Sequence, residues 1–370
     1  MEWPKDLKAW WELGVAEGAE GYHNLCLDAW WKMRSDFLEH GISLFDPLLK
    51  PPYSFRLPID GLKSCPSQFV FEIVPDTLLH VQQVTPLVYP ARLQDGTDAM
   101  IRIVAACEPS SELELLQFLS TPEMLSHADN HTLPIIQVLS LEKRHFKFVV
   151  FPRIGTHPCH PWFHHIDEAL DCIGQTLEGV AFMHRHLIAH RDIAEDNILI
   201  NHKSSRPRGK CPPFRSLYPV RYFFIDFEYA IRFPEDSDPS TRLVSRIKEI
   251  SRFGAPETQS DTRYCPFAAD VFNLGFFYFE NFRQLDGDLV PIVDIFRDML
   301  NHDPKQRITA SDALTKFSAL RDMLSPDTLQ RPVPPRIIIC GDDDAEGVRK
   351  FLEGRIGAPS RKRYGQISAP

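Results

Sequence analysis

The chain has 370 residues, of which 43% are hydrophobic and 25% are charged, and its formal net charge is −9. This length allows a sizeable core shared between two or three domains or lobes, and the acidic balance disfavours bulk binding to nucleic acid or to an acidic membrane surface. The eight cysteines are scattered and form no C-x-x-C pair, so neither a zinc ribbon nor a disulfide framework is indicated.

No stretch of about 18 apolar residues occurs, so no transmembrane helix is expected. The first ten residues lack the apolar core of a signal peptide. We therefore expect an intracellular protein, cytoplasmic or nuclear, whose partners include no membrane and no nucleic acid. The sequence identifies neither the protein partner nor the oligomeric state.

The first predicted segment, residues 1–74, is rich in tryptophan. Leu25, Trp30, Met33 and Phe37 lie at roughly helical spacing, which predicts an amphipathic helix. Two interpretations stay open: the indole rings pack against the body of the protein, because exposing them to water is unfavourable, or they dock a partner. The proline-rich residues 45–66 predict a linker. Five of the six tryptophans lie in this segment: Trp3, Trp10, Trp11, Trp30 and Trp31.

The second segment, residues 75–155, is predicted to be rich in β-structure. Short strands are expected at 81–84, 87–89, 99–104 and 146–151, with a turn at 94–96. Between them Ser110 caps a predicted helix that carries Glu112 in its first turn.

The third segment, residues 156–330, is predicted to be mainly helical. Apolar residues recur at helical spacing over 167–186, and a helical pattern extends from Pro256 to about Leu324. The tail, residues 331–370, has an acidic run at 342–344 and a basic run at 360–363. The predicted fold is α+β, with a small β-rich lobe followed by a helical lobe.

Three motifs follow one another in the third segment. His190-Arg191-Asp192 precedes Asn197, Asp226-Phe227-Glu228 follows a short apolar strand, and Ala255-Pro256-Glu257 comes next. In this order the chain resembles eukaryotic protein kinases over about residues 75–325. It resembles more narrowly the divergent kinase-like proteins of mushroom-forming fungi, because of Ile193-Ala194 in the first motif, the insertion ending at Pro219–Tyr222, and Phe118–Ser120 ahead of Asn130.

The resemblance implies a bilobal kinase fold that uses ATP and magnesium. Asp192 would accept the proton of the substrate hydroxyl, and Asn197 and Asp226 would hold magnesium through oxygen atoms. Arg102 stands where these proteins have the lysine that reaches the ATP phosphates, with Glu112 as its expected partner and Glu114 as the alternative.

Two further positions match structural roles in the family. Glu257 is expected to pair with Arg307, and Asp270 is expected to cap the backbone of the catalytic loop. Both predictions concern the fold and are neutral about activity.

Four departures separate the chain from an ordinary kinase. Arg102 keeps the charge of the usual lysine but is longer and planar. No glycine occurs between residues 81 and 94, where a glycine-rich loop would cradle phosphate. Glu228 replaces the glycine of the Asp-Phe-Gly motif, and Ala194 replaces a lysine that touches phosphate. Together these changes predict impaired phosphoryl transfer.

Three functions remain open at this point. The chain is a weak or atypical protein kinase acting on serine, threonine or tyrosine, a pseudokinase that serves as a scaffold, or a small-molecule kinase of the choline type. Asp226-Phe227-Glu228 fits the third hypothesis, whereas His190-Arg191-Asp192 and Ala255-Pro256-Glu257 disfavour it. The first two differ in ATP affinity and in their dependence on Asp192.

Overall fold

The computed structural model divides the chain into two compact units. The first comprises Met1–His157, Ile198–Phe214 and Tyr218–Glu228, and the second Pro158–Asn197, Arg215–Leu217 and Tyr229–Pro370. The structure describes residues 3–15, 26–47, 55–56, 71–72, 85–106, 109–155, 157–203, 214–248, 250, 253–336 and 344–353.

The helices, in chain order, are α1 Leu7–Val15, α2 (26–32), α3 Arg34–Leu38, α4 Ser111–Leu119, α5 Pro122–Ser126, α6 Ile166–Arg185, α7 Phe214–Leu217, α8 Pro266–Phe282, α9 Val290–Met299, α10 Ala310–Asp322, α11 Pro326–Leu329 and α12 Asp344–Leu352. The strands are β1 Ile42–Leu44, β2 Asp46–Pro47, β3 Phe55–Arg56, β4 Phe71–Glu72, β5 Val88–Leu93, β6 Asp98–Ala105, β7 Gln137–Leu141, β8 Phe146–Pro152, β9 Ile188–Ala189, β10 Ile198–Ile200, β11 His202–Lys203, β12 Tyr222–Phe224 and β13 Ile231–Arg232.

A five-stranded antiparallel sheet organises the first unit, in the order β1-β5-β6-β8-β7. The predicted turn at 94–96 joins β5 to β6, and Gly96 adopts the left-handed φ of +89° that this turn needs. Ser110 caps α4 by accepting a hydrogen bond from the Leu113 amide at 3.2 Å, as its position predicted.

The edge strand of this sheet comes from the tryptophan-rich segment. Ile42–Leu44 pairs with β5 through Ile42↔Leu93 and Leu44↔Ala91, and the Phe45 amide then donates to the Pro90 carbonyl at 3.1 Å. Pro90 has no N–H to donate. Its backbone faces β1 but lies beyond the last residue pair between β1 and β5, so the missing donor costs little. The predicted strand at 81–84 lies outside the described residues, as does most of the linker at 45–66.

The tryptophan helices complete the core beneath the sheet. Trp10, Trp30, Met33 and Phe37 are fully buried, together with Tyr89 and Phe148 from the strands. The rings of Trp30 and Tyr89 lie 5.2 Å apart, and Trp30 Nε1 donates to the Pro86 carbonyl at 2.9 Å. The packing interpretation is therefore confirmed for Trp10 and Trp30, whereas Trp11 is 50% exposed.

The second unit is built on the long helix α6, whose predicted span of 167–186 is confirmed within one residue at each end. Helix α10 packs along α6, and α8 packs on α9. Gly275 makes the α8–α9 contact possible, because a Cβ at this position would lie 2.7 Å from Met299 Cβ. The predicted α+β class, with a β-rich lobe and a helical lobe, is confirmed. Among the described residues, no helix has both the length and the apolar character that crossing a membrane requires.

The burial of the tryptophan segment predicts unequal effects of two substitutions. Trp30→Ala leaves a large cavity and removes one hydrogen bond to the Pro86 carbonyl, and we expect it to lower the free energy of unfolding by about 3–5 kcal/mol. Trp11→Ala, the matched control on the exposed surface, changes this free energy by less than about 0.5 kcal/mol. Urea unfolding followed by circular dichroism measures both. Equal effects would contradict the assignment of Trp30 to the core.

Candidate active site

The predicted catalytic loop, residues 190–197 of the second unit, is fixed by a buried aspartate. Both carboxylate oxygens of Asp270, on α8, accept backbone amides of the loop, from His190 and from Arg191, each at 2.7 Å. Asp270 and His190 are fully buried, and Arg191 has a left-handed φ of +70°. The predicted capping role of Asp270 is confirmed, and it explains how the loop keeps a strained backbone.

Asp192 and Asn197 lie together in this loop. Asn197 Nδ2 donates to the Asp192 main-chain carbonyl at 2.8 Å and to Asp192 Oδ2 at 2.9 Å. Both side chains belong to buried residues. The predicted base is thus held in one orientation by the amide group of the predicted metal ligand.

Two arginines tie neighbouring segments to this framework. Arg191 donates to the main-chain carbonyls of Tyr229 and Ser245, at 3.3 and 2.8 Å. Arg307 forms a two-pronged ion pair with Glu257, at 2.6 and 3.0 Å. The predicted Glu257–Arg307 pair is therefore confirmed, and it is buried enough to exceed a surface ion pair in strength.

The first unit holds a second group of predicted site residues around one guanidinium. Arg102, on β6, is 8% exposed. Its Nε donates to Glu112 on α4 at 2.8 Å, and its Nη2 donates to Asp226 at 2.8 Å and contacts Glu228 at 3.4 Å. The Arg102–Glu112 pair is the one that the sequence predicts. The sequence analysis did not predict the contact between Arg102 and Glu228. The signal for it was the glutamate that replaces the glycine of the Asp-Phe-Gly motif.

Burial and the neighbouring charges shift the pKa of Glu112. Burial raises the pKa of Glu112 to about 7 against the attraction of Arg102, and the negative charges of Asp226 and Glu228 add to the rise. Burial alone would lower the pKa of Arg102, but the three carboxylates raise it. The guanidinium therefore stays charged, and Glu112 exchanges a proton near neutral pH.

This shift predicts a pH dependence of stability. At Glu112 the folded pKa of about 7 exceeds the ordinary value of 4.5, so between these values the folded chain retains a proton that the unfolded chain releases. Stability therefore falls as pH rises through this window. We expect Glu112→Gln to reduce the loss in the free energy of unfolding between about pH 5 and about pH 7.5.

The control for this prediction is Glu114→Gln, an exposed position on the same helix. It is expected to keep the wild-type pH dependence in urea titrations at the two pH values. A wild-type slope in Glu112→Gln would show that Glu112 does not titrate as described.

The oxygen atoms of Asn197 and Asp226 show whether these two predicted ligands suit magnesium. Both hydrogen bonds of the Asn197 side chain use Nδ2, which leaves the carbonyl oxygen Oδ1 as its ligand atom. Asp226 offers carboxylate oxygens and has a left-handed φ of +64°, an uncommon conformation for a non-glycine residue. Such oxygen atoms suit a hard cation. Asp192 and Asn197 belong to the second unit, and Arg102, Glu112, Asp226 and Glu228 to the first.

Comparison with known families agrees with this arrangement. The family model described as Protein kinase domain matches residues 159–285. The match supports the protein kinase superfamily. It covers about a third of the chain and takes in Asp192, Asn197, Asp226, Glu257 and Asp270, whereas Arg102 and Glu112 lie outside it. No curated protein matches the chain.

Proposed function

We propose that the chain is a protein kinase-like enzyme that transfers the γ-phosphoryl group of ATP, with magnesium, to a serine, threonine or tyrosine hydroxyl of a protein. The observation that carries this proposal is the pairing of Asp192 with Asn197 in a loop anchored by Asp270. A base held in this way suits a reaction that depends on positioning more than on covalent chemistry.

The chemistry assigns one role to each residue. The Asp192 carboxylate orients the substrate hydroxyl and accepts its proton as the hydroxyl oxygen bonds to the γ-phosphorus and the bond to the ADP oxygen breaks. Asn197 Oδ1 and the Asp226 carboxylate would hold magnesium, which neutralises charge on the phosphate oxygens when bound. Arg102 would supply a further positive charge to the phosphates.

The rate is proposed to be low. Arg102 is already engaged by three carboxylates, so phosphate would have to compete for its guanidinium. Asp192 is nevertheless held by Asn197, in a loop that Asp270 anchors. The narrower likeness to fungal kinase-like proteins, the intracellular location and a protein partner are part of the same proposal.

The proposal predicts separate effects of two isosteric substitutions. Asp192→Asn removes the base, and we expect turnover on protein acceptors to fall about 10²–10⁴-fold while ATP affinity is unchanged. Asp226→Asn removes a negatively charged ligand, and we expect it to abolish the magnesium dependence of ATP binding. Calorimetric titration with ATP, with and without magnesium, and a phosphotransfer assay measure the two effects. Retention of full turnover by Asp192→Asn would refute the assignment of the base.

A second candidate, a pseudokinase scaffold, is favoured by one observation. Asp226 and Glu228 both contact Arg102 Nη2. Acidic side chains of the protein itself therefore neutralise the guanidinium that would otherwise bind phosphate. In a scaffold neither Asp192→Asn nor Asp226→Asn alters function. Partner binding would instead depend on an exposed side chain such as Trp11, since Trp10 belongs to the core.

Glu228 distinguishes the two candidates. If the chain is an impaired kinase, Glu228→Gln removes one competitor for Arg102 and tightens ATP binding about two- to fivefold, as the modest strength of a half-exposed ion pair allows. The control is Glu235→Gln, at an exposed carboxylate that pairs with Arg232 instead. A scaffold without a nucleotide site binds no ATP at millimolar concentration in either variant, and calorimetry separates the outcomes.

A further inference from the structure

A short extended segment follows α11 and lies against the chain that leads into α6. The Arg331 carbonyl accepts the Ile166 amide at 2.9 Å. The Val333 amide donates to the His164 carbonyl at 3.2 Å, and the Val333 side chain is buried. These contacts hold the segment, residues 331–336, like an added strand, and we call it the strap.

The strap brings one arginine to the loop 190–197. Arg336 Nη2 donates to Glu195 Oε2 at 3.1 Å. Among the described residues, no other group donates a hydrogen bond to the Glu195 carboxylate. The strap lies outside residues 159–285, the range that the protein kinase family model matches, so the match assigns it no role.

The charges of Arg336 and Glu195 each act on a buried neighbour. Burial lowers the pKa of Arg283, and the positive charge of Arg336 contributes to the fall. Burial raises the pKa of the Cys159 thiol, and the negative charge of Glu195 contributes to the rise. Such interactions are poorly screened away from water. The pairing of Arg336 with Glu195 therefore neutralises two charges that would otherwise act on buried groups.

The loop 190–197 is held at both ends. At its start, Asp270 accepts the backbone amides of the first two residues. At its end is the 3₁₀ turn Glu195–Asn197, where Asn197 Nδ2 donates to Asp192 Oδ2 at 2.9 Å. Arg336 holds the first side chain of this turn. The strap therefore supports the half of the loop that Asp270 does not contact.

We propose that Arg336 is a positioning residue. By holding the Glu195 side chain it restrains the turn Glu195–Asn197, and so keeps the Asn197 amide group on the carboxylate of the predicted base, Asp192. The inference rests on the proposed function, because the orientation of Asp192 affects turnover only if the chain transfers phosphate. The two side chains of the pair are 37% and 21% exposed, so the restraint is modest.

Hydrogen exchange of the full-length protein tests the restraint without reference to turnover. The reporter is the Asn197 amide, which donates to the Ala194 carbonyl at 3.0 Å. In Arg336→Ala we expect it to exchange roughly two- to fivefold faster than in the wild type, as an exposed ion pair allows. Arg336→Lys, which keeps the charge, is expected to restore the wild-type rate.

Two controls accompany the exchange measurement. The amides of residues 190 and 191, which Asp270 holds, are expected to keep their rates in Arg336→Ala. Lys316→Ala breaks an exposed ion pair between α10 and α9 and is expected to leave the Asn197 amide unchanged. An unchanged Asn197 rate in Arg336→Ala would overturn the inference, whatever the turnover.

Steady-state kinetics tests the effect on the reaction. Arg336→Ala is expected to lower kcat roughly two- to fivefold and to leave the KM for ATP unchanged, because it misplaces the base without altering nucleotide binding. Glu195→Ala is expected to lower kcat by the same factor, and the double variant to fall no further, since both changes remove one pair. Additive losses in the double variant would contradict a shared role.

The two readouts separate this inference from the proposed function. Faster exchange with an unchanged kcat, in a chain that turns over, would overturn the positioning role and leave the proposed function standing. Faster exchange in a chain without turnover would refute the proposed function and uphold the restraint. Raising NaCl to about 1 M is expected to bring the wild-type exchange rate close to that of Arg336→Ala, because salt screens a partly exposed pair.

Discussion

The loop that carries Asp192 and Asn197 depends on the carboxylate of Asp270. A fully buried carboxylate is tolerated because two backbone amides, of His190 and Arg191, point at its oxygen atoms. The amides in turn fix the turn that brings Asn197 onto Asp192. Without this acceptor, two buried N–H groups would lose their partner, at a cost of about 1–3 kcal/mol each.

The contacts that were predicted correctly join residues that each belong to a recognisable sequence motif. The pairs Arg102–Glu112 and Glu257–Arg307 were predictable because each partner sits at a fixed place in a recognisable motif. The span of α6 was predictable because its apolar period extends over five turns. Local spacing was sufficient for α6, whereas the two ion pairs were expected from the resemblance to protein kinases.

The edge strand could not be predicted in the same way. Ile42–Leu44 has only three residues, one of them a serine, and nothing in its neighbourhood specifies β5 as its partner more than forty residues later. Glu228 could not be placed for a different reason. The replacement of the motif glycine is visible in the sequence, but the contact with Arg102 depends on how the segment after β12 lies against β6. The pairing of β1 with β5 depends on the assembled core, in which Trp30 of the tryptophan segment packs against Tyr89 of β5.

The origin of β1 also affects how the sheet forms. Because β1 and β5 are far apart in the chain, their pairing closes a long loop, and contacts of this kind slow folding. Until β1 is in place, β5 exposes a row of backbone donors and acceptors along one edge. An open edge of this kind is a template for strands of other molecules. The tryptophan segment, in supplying β1, replaces the six-residue edge of β5 with an edge of three residues, and a short edge strand is a poorer template for aggregation.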